Sequence, residues 1–456
     1  MIRFAAKELD KWLNNPNRKP MVMRGARQVG KTWIVRDLAN RHKLQLIELN
    51  FERLPSLADL FSENDPAEIL RNIEAELATT IKPDSSLLFL DEIQAAPQLF
   101  SKLRWFKEDM QPLPVIAAGS LLDFALNKYR YSMPVGRITY FHLDSMSFFE
   151  FLQAIGNEAL YKKISSLSLG TRLPDSLHAK CLGLYHDYCL VGGMPEVLKE
   201  WVDSKKLQSC LKLQQDLLAT YRDDFHKYGG EIEAGLLNRL LLSIAVKMGN
   251  KFVYSRVDSA KKLVQIRDAL TRLDQAKVCT KVLHTAGNGL PLGSESNEKF
   301  FKTLMLDIGL ISVQLGLSSA RHLEAKKIIF SNKGGMAEQF VGQQLRAAQT
   351  PLETPQLFYW QRVGGRLGEI DYLIQHGNRV VPVEVKSGSA GSLKSLHQFM
   401  AEKRFDLAVR CNIYQPAVED ISVKTTLGQP VSYRLLSLPV YLTERLHELI
   451  DQSIDT

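Results

Sequence analysis

The sequence predicts an α/β chain built on a parallel sheet, and three observations carry that prediction. The short apolar runs Met21–Met23, Leu87–Leu90 and Pro114–Ala118 have the length and composition of buried strands. Helical segments with apolar residues three and four apart separate them, which is the order that builds parallel strands joined by helices. Each run ends in glycine, acid or hydroxyl residues, as expected at the carboxyl edge of such a sheet, where ligands bind.

Size and composition set the frame. With 456 residues the chain has room for two or three domains. Hydrophobic residues are 45% and charged residues 24%, values of a globular protein, and no stretch of about 18 apolar residues is present to span a membrane. No membrane partner is expected. The opening MIRFAAKELDKWLNN mixes charges into its apolar positions, so the expected address is cytoplasmic. Cys181, Cys189, Cys210, Cys279 and Cys411 are scattered without a CxxC pair, and are expected to be reduced and structural. The net charge of +8 is uneven: Leu236 to Ala325 holds 13 Lys and Arg against 7 Asp and Glu. That stretch is either a nucleic-acid surface or a solvated lysine-rich helix face.

In chain order, an amphipathic helix near Leu9 to Leu13 precedes the first strand, which runs into Gly25-Ala26-Arg27-Gln28-Val29-Gly30-Lys31-Thr32. The spacing is GxxxxGKT. Its backbone N–H groups can close around phosphates, Lys31 can reach the β and γ oxygens, and the Thr32 hydroxyl can ligate Mg²⁺. The following helix adds its positive end. The run Leu87 to Leu90 ends in Asp91-Glu92, where Asp91 would hold Mg²⁺ through water and Glu92 would polarise an attacking water. Pro114 to Ala118 ends at Gly119-Ser120, where Ser120 is either a γ-phosphate sensor or a turn residue. The ligand these residues imply is ATP with Mg²⁺.

Gly136-Arg137 precedes the apolar run Ile138 to Leu143. With GARQVGKT, FLDEIQ, AAGS, this GR pair, Ser147 to Leu152 and Leu190-Val191-Gly192-Gly193-Met194-Pro195-Glu196, the chain resembles the AAA+ ATPases. It is similar in particular to a bacterial and archaeal family that joins such a module to a C-terminal domain resembling restriction endonucleases. The resemblance implies an ATPase core over residues 1–144, a homo-oligomer, and Arg137 as a finger on a neighbour's γ-phosphate; a structural arginine is the other reading. Ser120 stands where many AAA+ proteins carry Asn. Residues 145–235 read as helical and fit a lid.

Residues 236–325 offer helical stretches and then a hairpin, which resembles a winged helix. Its recognition helix would lie near Val264 to Leu273 and carry Arg267 and Arg272, with DNA or a protein as partner. Residues 326–456 hold Glu338 on a helical run, then Glu369-Ile370-Asp371 and Val383-Glu384-Val385-Lys386, a pattern resembling the PD-(D/E)xK nucleases. If Gly377-Asn378 is a two-residue hairpin loop, Asp371 falls opposite Glu384. Opposed side chains start about 4.5 to 5.5 Å apart, so two carboxylates there need a neutralising cation. The reading is a site in which Glu338, Asp371 and Glu384 hold Mg²⁺ or Mn²⁺ and Lys386 orients or deprotonates a bound water. The same count sets Glu369 opposite Lys386, which alone would be an ordinary ion pair. The expected function is an ATP-regulated, metal-dependent nuclease on DNA; the alternatives are a nucleotide-driven switch that binds without cutting and a chromosome- or plasmid-maintenance remodelling ATPase.

Overall fold

A computed structural model describes residues 1–120, 122, 134–228, 233–316, 333–362, 368–388 and 392–455. The first sheet is built from β1 (Met21–Arg24), β2 (Gln45–Asn50), β3 (Ser86–Asp91), β4 (Val115–Gly119) and β5 (Thr139–His142), in the order β2-β3-β4-β1-β5. Every pairing is parallel. Strand β3 is buried along its whole length, because both faces of the sheet are covered. Leu87 and Phe89 enter one apolar cluster with Ile34, Val35 and Leu38 of α2 (Lys31–Arg41). Leu88 and Leu90 enter another with Ile69 and Ile73 of α3 (Pro66–Leu77) and Phe106 of α4 (Leu103–Asp109). The apolar runs seen in the sequence are therefore continuous, since alternate residues serve two cores. α1 (Ala6–Asn14) closes the N-terminal side through Leu9 and Trp12.

A helical layer follows: α5 (Phe148–Ala154), α6 (Glu158–Ser165), α7 (Asp175–Val191), α8 (Pro195–Ser204) and α9 (Leu207–Tyr228). α5 starts on a capping box in which Ser147 and Glu150 satisfy each other's backbone N–H groups. Next come α10 (Ala234–Val246) and α11 (Leu263–Gln275), then the antiparallel pair β6 (Cys279–Thr285) and β7 (Ser296–Met305), and α12 (Ile308–Gln314). Helices followed by a hairpin are thus present, but the hairpin is not a free wing.

It forms one edge of a second, mixed sheet of eight strands ordered β12-β13-β11-β10-β9-β8-β6-β7. The other strands are β8 (Leu357–Gln361), β9 (Glu369–His376), β10 (Arg379–Val385), β11 (Leu407–Asn412), β12 (Ala417–Lys424) and β13 (Pro430–Pro439). The join is the parallel pairing of β6 with β8, Val282 beside Leu357 and His284 beside Tyr359. The ladder therefore crosses the expected boundary between 325 and 326. α13 (Lys333–Ala347), α14 (Lys394–Lys403) and α15 (Leu446–Asp455) accompany this sheet.

The two sheets are tied together. Arg346 of α13 makes a bidentate pair with Asp144 after β5, Nη2 lying 2.7 and 2.9 Å from the two oxygens. The Phe148 and Phe149 N–H groups donate to Gln344 Oε1 at 2.8 Å and Glu444 Oε1 at 2.7 Å. All five cysteines are buried free thiols. Burial pushes Cys181 up to about 11 and Cys210 and Cys411 up to about 12, which makes them inert. Among the described residues no helix is long and apolar enough to cross a membrane.

Candidate functional site

The parallel register brings the strand ends to one edge. Arg24 lies beside Gly119 and Asn50 beside Asp91, so the loop at Gly25, the acids after β3 and Ser120 face a common space. The loop from Gly25 to Gly30 delivers Lys31 as the first residue of α2. Gly25 has no room for a side chain: a Cβ there would sit 2.3 Å from the Leu143 carbonyl. Lys31 is buried, and its ammonium donates to the Gly25 and Ala26 carbonyls at 3.0 and 2.8 Å. The loop's outer side is held by Arg3, which donates to the Val29 carbonyl at 2.7 Å, and by the Tyr221 hydroxyl, which donates to the Arg27 carbonyl at 2.9 Å. Arg27 faces Glu52 at 3.8 Å, and Gln28 has the left-handed φ of 62°.

Opposite the loop, Thr32 Oγ1 lies 3.3 Å from Asp91 Oδ2. Asn50 donates to the same oxygen at 3.2 Å, and the Glu92 N–H donates to Asp91 Oδ1 at 3.2 Å. Glu92 itself sits at φ 51° and accepts from Gln94 Nε2 at 2.6 Å. Burial pushes Asp91 up to about 6, helped by the Glu92 and Glu48 carboxylates. Burial draws the Lys31 ammonium down to about 8 against the pull of Glu92 and Asp91. Ser120 Oγ is buried without a hydrogen-bond partner among the described residues. A hydroxyl beside an acid, a buried lysine and an unsatisfied hydroxyl fit a magnesium nucleotide, which Thr32 could ligate directly and Asp91 through water.

Arg137 is brought to none of these groups. It is half-exposed and pairs with Glu108 of α4 at 2.7 Å, and Glu108 also pairs with Arg104.

In the second sheet the hairpin has the two-residue loop read from the sequence. His376 faces Arg379, and the ladder runs to Val383 opposite Tyr372, one step before Glu384 and Asp371. Asp371 Oδ2 accepts from the Val385 N–H at 2.7 Å, and Glu384 Oε1 lies 2.5 Å from Lys386 Nζ. Glu384 Oε2 is buried without a partner among the described residues. Burial, then the Asp371 charge, push Glu384 up to about 8. Glu338 sits on α13, and burial together with Asp371 pushes it well above the carboxylate range.

The cation found among these acids is a side chain. Lys302 of β7 is 3% exposed, and its Nζ lies 3.1 Å from Glu338, 2.5 Å from Glu369 and 3.6 Å from Asp371. Glu369 therefore pairs with Lys302 and not with Lys386. No group of three His, Cys, Asp or Glu side chains among the described residues is arranged to hold a metal ion. The acids are brought together as expected, but in this arrangement they do not fit a divalent cation. Lys302 was missed although it left a trace, as the one charge in Phe300-Phe301-Lys302-Thr303-Leu304-Met305.

The turn Gly192-Gly193-Met194-Pro195 also has a defined place. The Gly193 N–H donates to Asp307 Oδ2 at 2.7 Å and its carbonyl accepts from Met146 at 2.7 Å. Gln343 of α13 donates to the same Asp307 oxygen at 3.0 Å and to the Tyr188 hydroxyl at 2.9 Å. Pro195 is the apolar neighbour of Gly30, 3.7 Å from where its Cβ would be. In α11, the expected recognition helix, Arg267 and Thr271 line a cleft of about 400 Å³ with Arg24, His142, Lys281 and Arg346. That face looks toward the first sheet.

Residues 17–152 match the family described as AAA domain. Residues 182–321 and 333–426 match two domains of unknown function (DUF8612 and DUF4143). No curated protein matches the chain. Among solved structures, the RuvB Holliday junction branch migration motor of Thermotoga maritima is 16% identical over 61% of this chain and 88% of its own, with a TM-score of 0.30. PCH-2 of C. elegans is 13% identical over 46% of this chain and 63% of its own, with a TM-score of 0.26. Likenesses this distant say nothing of function. The five-stranded parallel sheet and the loop on its carboxyl edge lie within residues 17–152, the stretch that matches the AAA domain.

Proposed function

We propose that the chain binds and hydrolyses ATP with Mg²⁺ and works as a nucleotide-driven switch on DNA, with its second sheet binding without cutting. The observation that carries the ATPase half is the placement of Thr32 Oγ1 3.3 Å from Asp91 Oδ2, with Glu92 next along the chain. Thr32, and Asp91 through water, would hold Mg²⁺, which would supply charge neutralisation to the phosphates. Lys31 exchanges its two loop carbonyls for phosphate oxygens, and the loop N–H groups bind the remaining ones. Glu92, once released by Gln94, orients the attacking water and takes its proton. Ser120 gives its unsatisfied hydroxyl to the γ-phosphate.

Arg137 acts across a subunit boundary in this reading. It is supported by its exposure and by its place before β5, whose first residue Thr139 pairs with Met21 at the amino end of β1 while the loop follows that strand's carboxyl end. DNA is the proposed partner on the strength of the basic surplus over Leu236 to Ala325 and the cleft that Arg267 and Lys281 line. Steady-state ATP hydrolysis by the wild type against Lys31→Ala, with and without DNA, tests both. Equal rates for the two proteins would defeat the ATPase assignment, and a wild-type rate unchanged by DNA would defeat the partner.

A nuclease is the second reading, favoured by the Asp371, Glu384 and Lys386 cluster at the end of the β9–β10 ladder. Its test is incubation with linear, supercoiled, branched and single-stranded DNA, with and without ATP, Mg²⁺ and Mn²⁺. Cleavage lost in a Glu384→Ala and Lys386→Ala double variant would establish it over the non-cutting reading.

A further inference from the structure

We infer that the Lys302 ammonium occupies the place of a metal ion in the acidic cluster of the second sheet, so that the cluster takes no divalent cation while β7 is in the sheet. The inference rests on the non-cutting reading above, and because its test measures ion binding without DNA, the two can fail separately.

Three acids from two elements converge on one nitrogen. Glu338 comes from α13, and Glu369 and Asp371 come from β9, with contacts of 3.1, 2.5 and 3.6 Å to Lys302 Nζ. Such a basket of hard oxygens is what Mg²⁺ or Mn²⁺ would otherwise use, at about 2.0 to 2.1 Å for Mg²⁺. An ammonium already in contact with those oxygens excludes the ion twice, by its volume and by like-charge repulsion at short range. The lysine is not a surface group that has folded in by chance: it is 3% exposed, with its Nζ 5.4 Å from the centre of the Tyr359 ring. Removing a charge from water at this depth is costly unless partners offset it, and the acidic oxygens of Glu369, Asp371 and Glu338 surround this one.

The strand that brings the lysine is not part of the segment that brings the acids. Lys302 sits on the edge strand β7, opposite Val282 of β6, and is joined by a bridge to Lys251. The cation and its acids thus meet only because the β6–β7 hairpin is built into the C-terminal sheet. On the far side of the cluster, Lys386 pairs with Glu384 at 2.5 Å, so that acid too already has a cation.

The test counts bound Mn²⁺ by electron paramagnetic resonance in nucleotide-free protein carrying Asp91→Asn, which removes the carboxylate of the ATP site. In that background no bound Mn²⁺ should be seen that a further Asp371→Asn change removes. Adding Lys302→Met should create one bound Mn²⁺ per chain, and Asp371→Asn should abolish it. A Mn²⁺ ion bound in the presence of Lys302 and lost with Asp371→Asn would overturn the inference. So would a folded Lys302→Met protein that gains none. If circular dichroism shows that Lys302→Met does not fold, the first comparison decides the matter alone.

Discussion

The backbone N–H of Gly193 and Gln343 Nε2 share one acceptor, Asp307 Oδ2, at 2.7 and 3.0 Å. A turn that packs against the Gly25–Gly30 loop through Pro195 is thereby tied to the helix that carries Glu338. Gly193 is also tightly enclosed, for a Cβ there would lie 1.9 Å from the Met146 carbonyl. Gly193→Ala is expected to destabilise the protein by about 2 kcal/mol or more, a cost typical of overpacking in a close-packed interior. Denaturant unfolding of the two proteins measures it, and equal midpoints would refute the tightness of this junction.

Lys31→Ala should abolish tight ATP binding, while Glu92→Gln should bind ATP and turn it over about 10² to 10⁴ times more slowly, the usual worth of a positioned base. In the proposed mechanism Lys31 meets the phosphates before reaction and Glu92 acts on the water. Titration calorimetry beside single-turnover kinetics separates the two, and normal turnover by Glu92→Gln would remove Glu92 from the base role.

ATP affinity should be highest between about pH 6 and pH 8. Magnesium nucleotide binding needs Asp91 ionised and Lys31 charged. Asp91, held at about 6, gains its proton as the pH falls through that value, and Lys31, held at about 8, loses its proton as the pH rises through that value. Both changes weaken binding. Replacing Glu92 by Gln removes one of the charges that raise Asp91, so the acid limb should move to lower pH. Fluorescent-nucleotide titrations across pH read both limbs, and an acid limb unmoved by Glu92→Gln would contradict this account.

Arg137→Ala should lower ATP turnover by about 10³ or more if it serves as a finger on a neighbouring subunit. Mixing Arg137→Ala chains with Lys31→Ala chains should restore part of the activity, since each supplies what the other lacks. Glu108→Gln, which frees the arginine from its pair, should leave turnover at or above the wild-type rate. No rescue in oligomers shown by mass to be mixed would confine Arg137 to its contact with Glu108.

Local patterns made much of this legible in the sequence. The apolar runs, the GxxxxGKT spacing and the Gly377-Asn378 loop each declare themselves within a few residues, so the parallel sheet, the loop and the β9–β10 register could be read directly. What stayed hidden depends on residues far apart in sequence. Lys302 meets Glu338 across 36 positions, and Arg3 supports Val29 across 26. No spacing rule reports such pairs. The polar end of β2 was the unused signal, for Asn50 closes that strand beside Asp91.

The insertion of the β6–β7 hairpin also orders the events of synthesis. β8 pairs with β6 only after the intervening chain from Thr285 to Leu357 has been made, so a growing chain that has reached residue 325 displays β6 with one edge bare. Pairing of this range is slow, because the loop must close before any contact rewards it. Until then the exposed edge is a template for another chain. The part of the molecule that brings Lys302 to its acids is thus also a part in need of protection during folding, and a fragment ending before β8 is expected to aggregate where the whole chain does not.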